Sequence, residues 1–114
     1  MTSARQLDLV FGALADPTRR AILARLADGE ATVNQLVDPF RLSQPTISKH
    51  LKVLEHAGLV SRARSAQFRP VRLEAAPLAV AGQWIGDFSL FWGESLGRLD
   101  DLVQELKKEE KDHG

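Results

Sequence analysis

Residues 42–58 read LSQPTISKHLKVLEHAG, and this stretch decides the fold of the 114-residue chain. Ser43 is a favourable N-cap for a helix, Pro45 fits the first helical turn, and Gly58 suits the residue just after the helix end. The apolar residues between them repeat at the i, i+4, i+7 spacing of a helix with one buried face: Ile47, Leu51 and Leu54. The stretch therefore predicts an amphipathic helix with defined ends.

The face of this helix opposite the apolar residues is polar. Glutamine can pair with adenine, Ser and Thr can bind bases or phosphates, and Lys and His suit phosphates or guanine. DNA would repel an acidic side chain here, and none occurs before Glu55. The polar residues are Gln44, Thr46, Ser48, Lys49, His50 and Lys52. They predict a helix that reads DNA, with an ordinary amphipathic surface helix as the alternative.

Three helical patterns precede this stretch. The first carries an i, i+3, i+4, i+7 stripe of Leu7, Val10, Phe11 and Leu14. The second begins at Asp16-Pro17, a cap followed by a first-turn proline, and ends at Asp28-Gly29. The third begins with the capping box formed by Thr32 and Gln35, and we expect it to end at Asp38-Pro39.

After Gly58, residues 59–64 and 67–73 alternate partly between apolar and polar and predict a β-hairpin with its turn at Ser65-Ala66. Pro70 cannot donate to a strand ladder, so the second strand should be an edge there. Ala76-Pro77 then opens a predicted helix that continues to about residue 106. We expect one domain over residues 1–106, followed by a polar tail at 107–114.

Net charge is zero, but the charge is unevenly distributed. Residues 41–72 hold seven basic side chains and one acidic one, a net charge of +6, while the rest of the chain has a net charge of −6. A basic segment between acidic ones is the electrostatic footprint expected of a nucleic-acid-binding protein. The arginines of the hairpin then suit phosphate or minor-groove contacts beside the polar helix.

Three segments resemble the ArsR/SmtB family of dimeric winged-helix repressors: ADPTRRAIL at residues 15–23, LSQPTISKHLKVL at 42–54 and AGLV at 57–60. The resemblance covers roughly residues 7–73. It implies a winged helix-turn-helix, mainly α with a small β-hairpin in the order α-α-α-α-β-β-α, that forms a homodimer through its first and last helices. Together with the residue chemistry, it predicts these DNA-binding residues: Arg41, Ser43, Gln44, Thr46, Ser48, Lys49, His50, Lys52, Arg62, Arg64, Gln67 and Arg69.

The chain departs from the resembled family at its metal-sensing residues. Many members bind metals through cysteine pairs or through Asp and His on the last helix, but this sequence has no cysteine. His50 and His56 are six residues apart and point to different helix faces. Asp101 and Glu105 fit a solvated helix face better than a cation site. We therefore predict no metal and no cofactor.

The last predicted helix is rich in aromatic residues, and the small tri-helical core cannot bury them all. They predict a dimer interface, and the residues assigned to it are Leu7, Val10, Phe11, Leu14, Trp84, Phe88, Phe91, Trp92 and Leu99. A pocket for an apolar or aromatic effector at this helix is the alternative. Regulation by a protein partner also remains open, and the sequence identifies no effector.

The remaining function classes have weaker support. The sequence contains no Gly-rich phosphate loop and no Ser/His/Asp arrangement in a suitable context, so we do not predict an enzyme. A winged helix that binds proteins rather than DNA is disfavoured by the basic segment. With no signal peptide and no membrane-spanning run, we expect a cytoplasmic location. The prediction is a sequence-specific regulator that represses transcription, its own gene being one candidate target.

Overall fold

A computed structural model of the protein describes residues 4–63, 69–91 and 102–108. Its elements are α1 (Ala4–Leu14), α2 (Pro17–Ala27), α3 (Val33–Phe40), α4 (Gln44–His56), β1 (Val60–Arg62), β2 (Val71–Leu73) and α5 (Ala76–Gly86). This confirms the predicted order α-α-α-α-β-β-α. The chain divides into two compact units, Met1–Gly82 and Gln83–Gly114.

The helix starts of the first unit follow the sequence signals. Asp16 Oδ1 accepts hydrogen bonds from the backbone N–H groups of Thr18 and Arg19, at 2.8 and 3.1 Å, and so caps α2. Thr32 and Gln35 form the reciprocal capping box of α3. Ser43 caps α4. Each cap satisfies backbone donors that the first helical turn leaves free.

The end of α3 differs from the prediction. The helix passes through Pro39 and ends at Phe40, with Arg41 in the left-handed conformation as the C-cap (φ 53°). A proline this close to a helix end removes a single backbone bond. The predicted end at Asp38-Pro39 was wrong because Phe40, like Val37, packs against the core. The helix has to continue through Pro39 to bring Phe40 there.

The core of the first unit is apolar. Its most deeply buried side chains come from all four helices that precede the hairpin and from the hairpin itself: Val10, Ile22, Leu36, Ile47, Leu51, Leu54, Leu59 and Val71. Among the described residues, no polar or charged side chain is buried. Helix α3 packs against α4, so α4 is held along its apolar face.

The hairpin is antiparallel, with Val60 opposite Leu73 and Arg62 opposite Val71. Its strands are shorter than predicted, and residues 64–68, which include the expected turn, lie outside the described residues. Val71 also pairs on its other side with Ala31, through N–O distances of 2.7 and 3.1 Å. This bridge, which no sequence pattern indicated, ties β2 to the connection between α2 and α3.

Helix α5 is shorter than predicted. It ends at Gly86, and Asp87 and Phe88 form a turn. Asp87 N is shared between Gln83 O (3.0 Å) and Trp84 O (3.3 Å), and the next bond, from Phe88 N to Ile85 O (3.1 Å), is of the i→i−3 type. Gly86 and Asp87 are both poor helix formers, which explains the break. Residues 89–91 and 102–108 of the second unit are again helical.

Candidate nucleic-acid interface

Helix α4 has one buried and one solvent-facing side. Its apolar stripe of Ile47, Leu51 and Leu54 is fully buried. On the other side, Gln44, Lys49 and Lys52 are exposed, while Thr46, Ser48 and His50 are half-buried. Arg41 is exposed in the short turn between α3 and α4. The DNA-binding residues predicted on α4 are thus at least partly exposed to solvent, where a ligand can contact them.

Two of the predicted DNA-binding residues, Ser43 and Thr46, are hydrogen-bonded to each other at the start of α4. Ser43 Oγ accepts from Thr46 N at 3.3 Å and lies 2.9 Å from Thr46 Oγ1. Both hydroxyls are therefore engaged in capping the helix. Gln44 lies between them in the sequence with an exposed amide, which suits it better for contact with a base edge.

The base of the hairpin is joined to the end of α4 by an ion pair. Arg62 Nε lies 3.4 Å from Glu55 Oε2, so the carboxylate of Glu55 offsets part of the charge of Arg62. Arg69 is exposed and has a left-handed backbone (φ 44°). A cavity of about 520 Å³ is lined by Lys52, Glu55, His56, Arg62 and Arg69. Arg64 and Gln67 lie outside the described residues.

Sequence reasoning missed an interaction behind α4. Arg19 Nη1, on α2, lies 3.5 Å from His50 Nδ1, on α4. The backbone hydrogen bond from Arg19 to the Asp16 carboxylate lowers the pKa of Asp16 below its ordinary value, and the charge of Arg19 acts in the same direction. A positive charge in the first turn of a helix interacts unfavourably with the helix dipole. The position of Arg19 in the sequence therefore indicated that its side chain has a partner elsewhere.

The predicted dimer residues fall into three groups. Val10 is buried inside the core of the single chain. Leu7, Phe11 and Leu14 are half-buried on α1. In the second unit, the rings of Trp84 and Phe88 contact each other at a centroid distance of 5.0 Å, tilted by 58°, and remain about half exposed, and Phe91 is 84% exposed. Trp92 and Leu99 lie outside the described residues.

An apolar groove of about 400 Å³ runs between α1 and α4, and its lining includes Leu9, Gly12, Ala13 and Val53. Within residues 4–63, 69–91 and 102–108, no three His, Cys, Asp or Glu side chains are grouped to hold a metal. None of the helices in those ranges has the length and apolar character needed to cross a bilayer.

A helix braced by α3, polar on its outer side and followed by a two-stranded hairpin, defines a winged helix-turn-helix, a class of DNA-binding domain. Residues 16–62 match the family model described as bacterial regulatory protein, arsR family. The chain belongs to the ArsR family of bacterial transcriptional regulators.

Two relatives extend this similarity over most of the chain. HTH-type transcriptional regulator Rv2034 of Mycobacterium tuberculosis is 38% identical over 103 residues, which cover 90% of this chain and 94% of the relative. Transcriptional repressor SdpR of Bacillus subtilis is 38% identical over 79 residues, covering 69% and 88%.

Solved structures share the fold. A crystal structure of an ArsR family transcriptional regulator superposes with a TM-score of 0.69 at 38% identity, covering 77% of this chain and 97% of that one. A homodimeric winged helix-turn-helix DNA-binding domain from Mycobacterium bovis superposes with a TM-score of 0.56 at 28% identity, covering 99% and 94%. The protein is therefore a DNA-binding transcriptional regulator, and α4 occupies the position of the recognition helix in this fold.

Proposed function

We propose that this protein binds an inverted-repeat operator as a homodimer in the cytoplasm and represses transcription, acting by binding and not by catalysis. The observation that carries the proposal is the two-sided character of α4. Its apolar side is fixed in the core, while Gln44, Lys49 and Lys52 face solvent without an acidic neighbour before Glu55. A helix of this kind can enter the major groove, where bases present distinct donors and acceptors.

The residues divide by the chemistry of their contacts. Gln44, in the first turn of the recognition helix, is the base reader, and Ser48 is half-buried one turn further on. Arg41, Lys49 and Lys52 are cations that bind phosphates and position the protein without reading sequence. Ser43 and Thr46 hold the helix start in place. The arginines of the hairpin formed by β1 and β2, which is the wing of this fold, include Arg62 and Arg69 and add phosphate or minor-groove contacts.

Dimerisation is supported by the second unit, where large apolar side chains remain exposed. Trp84 is 47%, Phe88 46% and Phe91 84% exposed in the single chain. Burying one large aromatic side chain contributes on the order of 2 kcal/mol, so a second copy that covers several of them would form a stable dimer. A two-fold axis would then place the recognition helices about 34 Å apart, which suits two half-sites in inverted repeat.

The test is a comparison of specific and scrambled duplexes. The wild-type protein first selects its preferred duplex from a random library, and binding is then measured by fluorescence anisotropy over a range of salt concentrations. Lys49→Ala should weaken both duplexes equally and reduce the salt slope by about 1, because it removes one phosphate contact. Gln44→Ala should mainly reduce the preference for the selected duplex, by about 1–3 kcal/mol.

Gln83→Ala is the matched control, since Gln83 is an exposed glutamine on α5, away from the recognition helix in the sequence. It should leave both affinities unchanged. Equal losses on the two duplexes for Gln44→Ala would contradict the base-reading role. Binding without a salt slope would contradict the proposed interface and favour a winged helix that binds proteins.

A further inference from the structure

Arg19 bridges the end of α1 and the recognition helix. Its Nε donates to Ala13 O at 2.8 Å, and its Nη2 donates to Gly12 O at 3.2 Å. Its third nitrogen, Nη1, lies 3.5 Å from His50 Nδ1 on α4. A guanidinium group carries five N–H donors in a rigid, planar fork, so one side chain can serve all three acceptors together.

These contacts offset an unfavourable feature of the position of Arg19. The residue occupies the first turn of α2, where a positive charge opposes the helix dipole. The last carbonyl groups of α1 lack donors within their own helix and form the negative end of its dipole. The guanidinium therefore stabilises the end of α1 and extends from it to α4.

Arg20 provides a comparison within the same turn. Its Nη1 donates to Leu14 O at 2.7 Å, which is also a carbonyl at the end of α1. The hydrogen bonds described for Arg20 do not extend to α4. The two arginines thus share charge, helix position and a capping function, and they differ in the contact with His50.

The contact also bears on the tautomer of the His50 ring. In a hydrogen bond across this 3.5 Å contact, the arginine N–H group donates and Nδ1 of His50 accepts. A ring that accepts through Nδ1 carries its proton on Nε2, because the partner of one ring nitrogen sets the tautomer. His50 thus offers an N–H donor, which suits a phosphate oxygen or a base acceptor.

We propose that Arg19 is a positioning residue for DNA recognition: it holds the recognition helix against the end of α1 and fixes the tautomer of His50, without touching DNA itself. The proposal rests on the proposed DNA interface of α4. It extends that interface to a residue of α2. It predicts that the preference for one DNA sequence depends on the contact between Arg19 and His50.

The central experiment compares Arg19→Gln with Arg20→Gln, two variants that lose the same charge from the same turn. The selected and scrambled duplexes are those described above. Both variants should weaken binding to the scrambled duplex to the same small extent. Arg19→Gln alone should lower the ratio of selected to scrambled affinity, by about fivefold, a size typical of residues that act through a network. Equal ratios for the two variants would overturn the proposal.

Two further measurements separate positioning from a general loss of structure. Arg19→Lys keeps the charge, but an ammonium group at one point cannot serve the three acceptors, so the ratio should stay low. In a His50→Ala background, Arg19→Gln should have no further effect on the ratio. A full rescue by Lys, or an undiminished effect without His50, would overturn the proposal.

The tautomer can be observed without DNA. Nitrogen NMR of the His50 ring should show an Nε2–H tautomer in the wild-type protein and in Arg20→Gln, and a mixture of tautomers in Arg19→Gln. Identical spectra for the three proteins would overturn the proposal even if DNA binding behaves as expected. If the wild-type protein selects no sequence at all while its spectrum shows the Nε2–H tautomer, the proposed function fails and the structural contact stands.

Discussion

The recognition helix and the aromatic stretch of the second unit carry similar sequence patterns with opposite outcomes. Ile47, Leu51 and Leu54 repeat at helical spacing and are fully buried within the single chain. Trp84, Phe88 and Phe91 repeat at similar spacing and remain 46–84% exposed. Periodicity therefore tells which side chains share a face, but whether that face is covered depends on what the rest of the chain can offer.

The largest expected effect lies on the buried side of this comparison. Leu51→Ala should lower the free energy of unfolding by about 3 kcal/mol, because it removes a fully buried side chain and leaves a cavity in a packed core. Val53→Ala on the same helix is the control, since Val53 is 41% exposed, and its cost should stay below about 1 kcal/mol. Urea unfolding measures both, and equal losses would contradict the described core.

A second substitution tests the exposed aromatic side chains of the second unit. Phe88→Ala should weaken self-association by on the order of 2 kcal/mol, because the ring would otherwise be buried against a second copy. Sedimentation analysis over a dilution series measures the dissociation constant. The neighbouring Ser89→Ala, also at an exposed position, should leave it unchanged. A protein that stays monomeric at all concentrations, with or without Phe88, would contradict the proposed dimer.

A smaller effect is expected from the cap beneath the recognition helix. The pKa of Asp16 is lowered in the folded protein, chiefly by the hydrogen bond from Arg19 N, so its carboxylate stabilises the fold above its ordinary pKa of about 3.9. This contribution is lost as the pH falls through the lower folded-state pKa.

The stability difference between wild type and Asp16→Asn should therefore be largest near neutral pH and shrink as the pH falls below about 4. Urea unfolding at several pH values between 7 and 3 measures it. Ser43→Ala, which removes the uncharged cap of α4, should show no such decrease. A difference for Asp16→Asn that stays constant down to pH 3 would contradict the capping role.

The smallest effect is expected at Arg41, the left-handed residue between α3 and the recognition helix. Arg41→Gly relieves the backbone strain but increases the entropy of the unfolded chain, so the free energy of unfolding should change by less than about 1 kcal/mol. Affinity for every duplex should fall because the variant loses a cation that we propose to bind phosphate. Arg41→Asn tolerates the same backbone and should behave similarly. A large loss of stability in both variants would indicate that the arginine side chain itself holds the turn.

Local features of the fold could be predicted from the sequence because a few neighbouring residues determine them. The caps at Asp16, Thr32 and Ser43 each depend on a side chain and the next backbone N–H groups, and all three are confirmed. The continuation of α3 through Pro39 was missed because the packing of Phe40 decides it. The break after Gly86 was missed because the apolar repeat continues across it.

The candidate site shows the same limit. The polar face of α4 could be identified from helical spacing alone. The contact between Arg19 and His50 joins residues 31 positions apart, and no local pattern pairs them. The sequence does show two arginines in the first turn of α2, where their charges interact unfavourably with the helix dipole. This indicates that the two side chains have partners, but it does not identify the carbonyl groups that they bind.

The bridge between Ala31 and Val71 has a consequence for how the molecule opens. Each residue donates its amide proton to the carbonyl of the other, so both protons exchange with solvent only when β2 leaves the connection between α2 and α3. Since Val71 is also part of the apolar core, that event requires disruption of the helices. Deuterium should therefore enter these two amides at the slow rate of global unfolding, and the base of the wing should have no separate opening step.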